Sequence, residues 1–263
     1  MQRVRLDTLL AERGLFSSRA RAAASVLAGE VRLGVTREKA VKPGQLVAPD
    51  VAVALAERPR YVSRGGTKLA NALDALGLEA VGRRALDVGA STGGFTDVLL
   101  QRGAEHVVAV DVAYGELDWR LRTDERVTVL ERTNARALSP EDLPYQPDLV
   151  VADLSFISLR KVLPAVLACV AERFDALAMV KPQFEVGRGR VGKGGVVRDA
   201  ADRRAALLSV AGAARELGAT VLGFASSGLP GPKGNRETFV WLAEQGRAGA
   251  VEDLEAAARE VEP

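Results

Sequence analysis

From about residue 84 onward, short apolar runs alternate with stretches in which apolar positions recur every three or four residues. The runs fall at about 84–88, 107–111, 127–130, 148–153, 175–181, 219–225 and 238–242, and predict strands. The helical patterns fall near 67–77, 94–102, 158–171 and 199–217. Strands and helices in this alternation predict an α/β fold with a seven-stranded, mostly parallel sheet. Only loop separates Phe224 from Phe239, so the last two strands are expected to close the sheet as an antiparallel hairpin.

The first sixty residues are patterned on a smaller scale. Residues 4–14 read as a short helix with Leu6, Leu9 and Leu10 on one face and Gly14 as its stop. Ser17-Ser18 caps a second helix, 19–28, which stops at Gly29, and 31–35 and 45–54 follow as short strands. The pattern then pauses at Glu57-Arg58-Pro59-Arg60-Tyr61. The predicted organisation is a small α+β domain over 1–58, a linker over 59–66 and an α/β domain over 67–263. On these boundaries Lys68 falls in the first turn of a helix, where the dipole disfavours a cation.

Composition narrows the function classes. The net charge is only +2, but residues 1–60 hold eleven Lys/Arg against six Asp/Glu, while the rest of the chain is mildly acidic. A basic module on an acidic body suggests that the module meets a polyanion. One histidine and one cysteine make a protein-only zinc site improbable, so no metal is expected. Cys169 falls within a predicted helix and reads as a packing thiol. No run approaches the length of a membrane span, and the first residues lack the apolar core of a signal peptide. A cytoplasmic protein with no membrane partner is the expectation.

The stretch Ala85-Leu86-Asp87-Val88-Gly89-Ala90-Ser91-Thr92-Gly93-Gly94-Phe95-Thr96-Asp97 carries the first chemical signal. It reads as strand, tight turn and helix start, where backbone N–H groups can face a ligand. A dinucleotide fingerprint needs a glycine where Ser91 stands. Asp111, ending the next strand, is placed to accept from ribose hydroxyls. An acid at the end of the first strand, small residues through the turn and an acid after the second strand suit a nucleoside with little negative charge, such as S-adenosylmethionine. Asp87, Gly89, Ser91, Thr92, Gly93, Gly94, Phe95 and Asp111 are the candidates for holding it.

Four further charges are expected on the cofactor side of the sheet. Asp153 and Lys181 end apolar strands, Glu237 precedes the last strand, and Lys68 enters from the helix before the first. Two lysines and two carboxylates in one cleft suit methylation of an alcohol, whose proton must leave as its oxygen attacks. Amino methylation favours an Asn/Asp-Pro-Pro-Tyr turn where this chain has Asp153-Leu154-Ser155-Phe156, and pyrimidine carbon methylation needs a nucleophilic cysteine. The segment 187–196, with five glycines and three basic residues, could cover a site or contact phosphate.

Two resemblances add to this reading. Residues 3–56, through Arg-Leu-Asp, Arg-Gly, Ser-Arg and Lys-Pro-Gly, resemble the small RNA-binding domain first seen in ribosomal protein S-four. One departure is Gly34-Val35, where that domain usually has an Asn/Asp-Gly turn. Over almost its full length the chain resembles the TlyA-type (haemolysin A-type) ribosomal RNA 2′-O-methyltransferases. The motifs are Ser63-Arg64-Gly65-Gly66-x-Lys68-Leu69, the 85–97 stretch, Glu131-Arg132-Thr133-Asn134-Ala135-Arg136, and Ala152-Asp153-Leu154-Ser155-Phe156-Ile157-Ser158-Leu159. Val180-Lys181-Pro182-Gln183-Phe184-Glu185 and Gly231-x-Lys233-Gly234-Asn235-x-Glu237 complete them. Ala113, Glu116 and Ser227-Gly228-Leu229-Pro230 depart from the family pattern.

The second part is also similar to FtsJ-type methyltransferases, whose Lys-Asp-Lys-Glu tetrad maps onto Lys68, Asp153, Lys181 and Glu237. The resemblance implies a Rossmann-like fold and S-adenosyl-L-methionine as cofactor, with Asn134 and Asp153 joining Gly89, Ser91, Gly93 and Asp111 around it. It further implies cytidine in 16S and 23S rRNA as the acceptor, hence small and large ribosomal subunits as partners. Arg3, Arg5, Arg13, Ser18, Arg19, Arg21 and Arg64 are the RNA-binding candidates. Two other readings stay open at this point, a membrane-lytic protein and an RNA-binding assembly factor without catalysis.

Overall fold

The computed structural model describes residues 3–56 and 59–263; Glu57 and Arg58, at the predicted domain boundary, lie outside the described residues. The chain divides into two compact units, Met1–Arg60 and Tyr61–Pro263. The first unit runs β1 (Val4–Arg5), α1 (Leu6–Glu12), α2 (Arg19–Leu27), β2 (Val31–Leu33), β3 (Glu38–Lys39), β4 (Leu46–Val47) and β5 (Val53–Leu55). β2 lies between β3 and β5 in an antiparallel sheet, and β1 pairs with β4. Leu6, Leu9 and Leu10 share the buried face of α1 and pack on Ala22, Val26 and Val31. Ser18 caps α2 by accepting from the Arg21 N–H at 3.2 Å.

In the second unit α3 (Arg64–Leu76) precedes β6 (Arg84–Val88), α4 (Gly94–Gln101) and β7 (His106–Val110). A short α5 (Trp119–Arg122) leads to β8 (Val127–Leu130), followed by β9 (Leu149–Ala152), α6 (Leu163–Leu167) and β10 (Asp175–Val180). After α7 (Pro182–Glu185) come α8 (Ala200–Glu216), β11 (Thr220–Ser226), β12 (Thr238–Ala243) and α9 (Leu254–Val261). The sheet order is β11-β12-β10-β9-β6-β7-β8, parallel from β10 to β8, with β12 antiparallel to both its neighbours. The α/β class, the seven strands and the closing hairpin are as the hydrophobic pattern predicts.

Alternation along the strands explains why they read as continuous apolar runs. Leu86, Val88, Val108, Val110, Val150 and Ala152 face one core, shared with α6 and α8. Ala85, Val107, Ala109, Leu149 and Val151 face the other, shared with α3 and α4. A sheet covered on both faces needs apolar residues at both parities. Asp87 has the parity of Ala85, so its carboxylate enters the α3/α4 side.

Three local expectations need correction. Tyr61 is buried in the core, and residues 64–66, expected as linker, are the first turn of α3. Lys68 therefore sits beyond the first turn, clear of the dipole penalty expected for it. A glycine in this first turn serves close packing. A Cβ on Gly66 would stand 2.4 Å from Tyr61 Cβ and 2.9 Å from the Gly94 carbonyl oxygen, so glycine lets α3 and α4 meet backbone to backbone. The single helix expected over 158–171 is a 3₁₀ turn, Leu159–Lys161, and the short α6, because Pro164 cannot continue a helix begun upstream. Cys169 lies past the end of α6, fully buried; burial pushes its thiol up to about 11. Among the described residues no helix is long and apolar enough to cross a membrane, and no group of three or more His, Cys, Asp or Glu side chains could hold a metal ion.

Candidate active site

The site lies where the strand order reverses, between the carboxyl ends of β6 and β9. The backbone after β6 turns at Gly89, whose φ is +85°, and whose N–H bonds the Val110 carbonyl at 2.8 Å. A Cβ there would lie 2.6 Å from the Asp153 carbonyl oxygen, so only glycine lets the two chain segments pass. Asp87 anchors the turn from below. Its Oδ2 accepts from the Thr96 N–H at 2.9 Å and the Thr96 hydroxyl at 2.7 Å, while Oδ1 is buried without a hydrogen-bond partner. Burial pushes this carboxyl up to about 7 against the pull of the Thr96 bonds.

Ser91, where a dinucleotide fold would have glycine, takes φ +48°. Its N–H donates to Asp111 Oδ2 at 2.8 Å and its hydroxyl to Glu116 at 3.1 Å. Asp111 Oδ1 accepts from the Ala113 N–H at 2.8 Å. These bonds engage the Ser91 N–H and hydroxyl and hold two carboxylates beside the turn, with Asp111 just past the end of β7, where an acid can accept from ribose hydroxyls.

The four predicted charges line one cavity of about 360 Å³, as two ion pairs. Lys68 Nζ is hydrogen-bonded to Glu237 Oε2, and both side chains are buried. Lys181 Nζ stands 2.5 Å from Asp153 Oδ1 and donates to the Ser155 hydroxyl at 2.9 Å. Gly89, Ser91, Thr92, Gly94 and Phe95 line the same cavity, and so does Arg64, whose guanidinium also donates to the Pro230 carbonyl at 3.0 Å. Asp111 borders an adjoining recess with Ser91 and Glu116.

Besides Asp111, three predicted cofactor residues lie outside this cavity. Asp87 is buried beneath the turn, and a Cβ on Gly93 would run into Leu117 and Leu121. The Asn134 side chain caps a 3₁₀ turn by accepting from the Arg136 N–H at 3.1 Å.

A second cavity, of about 290 Å³, shares Ser155, Lys181, Pro232 and Glu237 with the first. Phe156 and Phe184 form its aromatic edge, with ring centroids 5.4 Å apart. Phe156 is 92% exposed and held at φ +64°, an unfavourable backbone for a bulky residue and a mark of a constrained position. Neither Phe156 nor Ser155 is a candidate from sequence; their place directly after a strand-ending acid was the available signal.

Within the N-terminal unit, Arg5 and Arg19 both pair with Asp7, at 2.8 and 3.2 Å. The Arg5 hydrogen bond holds the Asp7 carboxyl down at about 2, opposed by its burial. Both guanidinium groups remain half exposed, 47% and 59%, so Asp7 aligns two cations that can still meet an anion. Arg13 donates to the Val51 and Pro49 carbonyls at 2.7 and 2.5 Å, a structural brace. Arg3 and Arg21 are exposed.

Residues 61–244 match the FtsJ-like methyltransferase family. Over 258 residues the chain is 53% identical to the Mycobacterium tuberculosis 16S/23S rRNA (cytidine-2′-O)-methyltransferase TlyA, covering 97% of this chain and 95% of that one. It is 41% identical to YqxC of Bacillus subtilis over 95% of this chain and 89% of the relative. A solved structure from Streptococcus thermophilus, a hemolysin by description, superposes with a TM-score of 0.74 at 37% identity, covering 99% of this chain and 96% of that one. With this sheet order and these strand-end charges, the chain belongs to the FtsJ-like methyltransferase family and, within it, to the TlyA group.

Proposed function

We propose that this methyltransferase moves a methyl group from S-adenosylmethionine to the ribose 2′-hydroxyl of cytidine in ribosomal RNA of the small and large subunits. The observation that carries the reading is the convergence of the Lys68–Glu237 and Lys181–Asp153 pairs on one cavity beside the turn after β6.

The residues around that turn fit the methyl donor. Asp111, beside the Ser91 turn, is placed to accept from the hydroxyls of the donor's ribose, and the carboxylates of Asp111 and Glu116 are compatible with a ligand that is cationic at sulfur. Gly89, Ser91, Thr92, Gly94, Phe95 and Asp153 would hold the donor in the main cavity, with Asp111 at its ribose end. When bound, S-adenosylmethionine supplies an electrophilic methyl carbon attached to a cationic sulfur.

Lys181 lines both cavities, so its Nζ can meet an acceptor hydroxyl that approaches from the second. In its amine form Nζ takes the 2′-hydroxyl proton as the oxygen–carbon bond forms and the carbon–sulfur bond breaks. Asp153 then faces the ammonium so formed, and Ser155 holds Nζ in place. Lys68 and Glu237, paired and buried, fix the far wall and orient the ribose. The aromatic edge at Phe156 and Phe184 suits a base taken out of its stack. Arg5 and Arg19, with the exposed Arg3, Ser18 and Arg21, would meet RNA phosphates from the N-terminal unit, and Arg64 would do so at the cavity mouth.

Cytidine and the two rRNAs extend to this chain what the Mycobacterium tuberculosis relative is named for. Transfer of labelled methyl groups from the donor to isolated small and large subunits tests the reading.

A further inference from the structure

The motif Gly231-x-Lys233-Gly234-Asn235-x-Glu237 contributes Glu237 to the site, but the proposed chemistry gives Asn235 no part. Its side chain is nevertheless tied closely into the molecule. Asn235 is 2% exposed. Its Oδ1 accepts from the Val197 N–H at 2.9 Å, and its Nδ2 donates to the Gly195 carbonyl at 2.8 Å. Its own carbonyl accepts from the Gly231 N–H at 2.8 Å, closing the turn that a Gly234 N–H to Gly231 carbonyl bond of 2.9 Å also braces.

These bonds join two segments that otherwise close on themselves. Gly192 and Val196 pair across the glycine-rich segment, as the Gly192 N–H bonds the Val196 carbonyl at 3.0 Å. Both segments wall the second cavity, Val191 and Gly195 from one side and Gly231, Pro232 and Lys233 from the other. Two residues past Asn235, Glu237 packs so closely under the turn that a Cβ on Gly231 would meet its Oε1 at 2.4 Å.

We propose that Asn235 is a positioning residue that fastens the glycine-rich segment 187–196 to the turn 231–234 and so gives the acceptor cavity its shape. This rests on the second cavity being the acceptor site, as argued above. An amide is required because one planar group must donate to a carbonyl and accept from an N–H. Aspartate would set a carboxylate against the Gly195 carbonyl, and alanine would release both bonds. A glycine-rich segment so released regains backbone freedom that acceptor binding must again remove. The donor-binding turn 89–94 stands on other elements and is untouched.

Asn235→Ala and Asn235→Asp test this in the full-length protein. Backbone hydrogen exchange at Val197, followed without RNA or donor, should accelerate about tenfold in Asn235→Ala, the worth of one hydrogen bond, and little in Asn235→Asp, whose carboxylate still accepts from the Val197 N–H. The KM for ribosomal subunits should rise about tenfold with a smaller change in kcat, while the S-adenosylmethionine Kd stays within about twofold. Unchanged Val197 exchange in Asn235→Ala, or donor affinity falling in step with KM in either variant, overturns the proposal. Absence of methyl transfer to RNA by the unsubstituted protein would instead remove the functional reading, and the exchange measurement would still decide whether Asn235 is the fastener.

Discussion

The Lys181 ammonium stands 2.5 Å from the Asp153 carboxylate, so an ion pair joins the first residues past two adjacent parallel strands. The register that pairs Ala178 with Ala152 puts Lys181 two residues beyond the level of Asp153, both at the carboxyl edge of the sheet, a gap the ion pair spans. A lysine held there lines both the cavity beside the turn after β6 and the cavity edged by Phe156 and Phe184.

Lys181→Ala should lower methyl transfer by about 10²–10⁴-fold, the range for removing a positioned proton acceptor. Donor binding, measured by calorimetry, should remain close to that of the unsubstituted protein. Transfer at near-normal rates would remove Lys181 from the chemistry.

The packing of α3 on α4 predicts a stability effect at Gly66. The Cβ of Gly66→Ala has to push Tyr61 and the Gly94 carbonyl aside, at a cost of ~1–3 kcal/mol. Thermal unfolding should report this as a fall in Tm of about 2–4 °C per kcal/mol for a unit of this size. An unchanged Tm would mean that the two helices can separate without penalty.

Asp87 predicts a pH dependence. Its carboxyl, normally near 3.8, is raised to about 7 by burial, so the folded protein holds this proton more tightly than the unfolded chain does. The associated stability is fully present below about pH 4 and is lost as pH rises through about 7. Urea unfolding from pH 4 to 8 should show a smaller decline in Asp87→Asn than in the unsubstituted protein. Parallel curves would show that Asp87 titrates alike in both states.

Removal of residues 1–60 should weaken binding to ribosomal subunits and flatten its dependence on salt. Each RNA phosphate that the truncated protein no longer neutralises lowers the logarithmic salt slope by about 0.7–0.9. Equal affinity and slope after truncation would leave the aligned Arg5 and Arg19 without a nucleic-acid role.

Much of this architecture is legible in the sequence because each strand of the large sheet is apolar at both parities and bounded by turn residues. The strand-end charges Asp153 and Lys181 could be read because a charge directly after an apolar run must emerge at the sheet's carboxyl edge. What the pattern concealed depends on residues far apart in the chain. Gly65 and Gly66 look like a linker, and the close approach of Tyr61 and Gly94 to Gly66 shows why glycine stands in a helix there. Asp87 looks like a ligand group because its partner, Thr96, lies on the next helix. The placement of Phe156 and the bonds of Asn235 rest on side-chain direction and on loops brought together by folding, which no local periodicity encodes.

The central claim, that the acceptor is a ribose hydroxyl, is tested most directly by digesting rRNA methylated by the purified protein to nucleosides and locating the label by mass spectrometry. The account predicts label in 2′-O-methylcytidine from both subunits, and none with Lys181→Ala. Label on a base, or no label in rRNA at all, would contradict it.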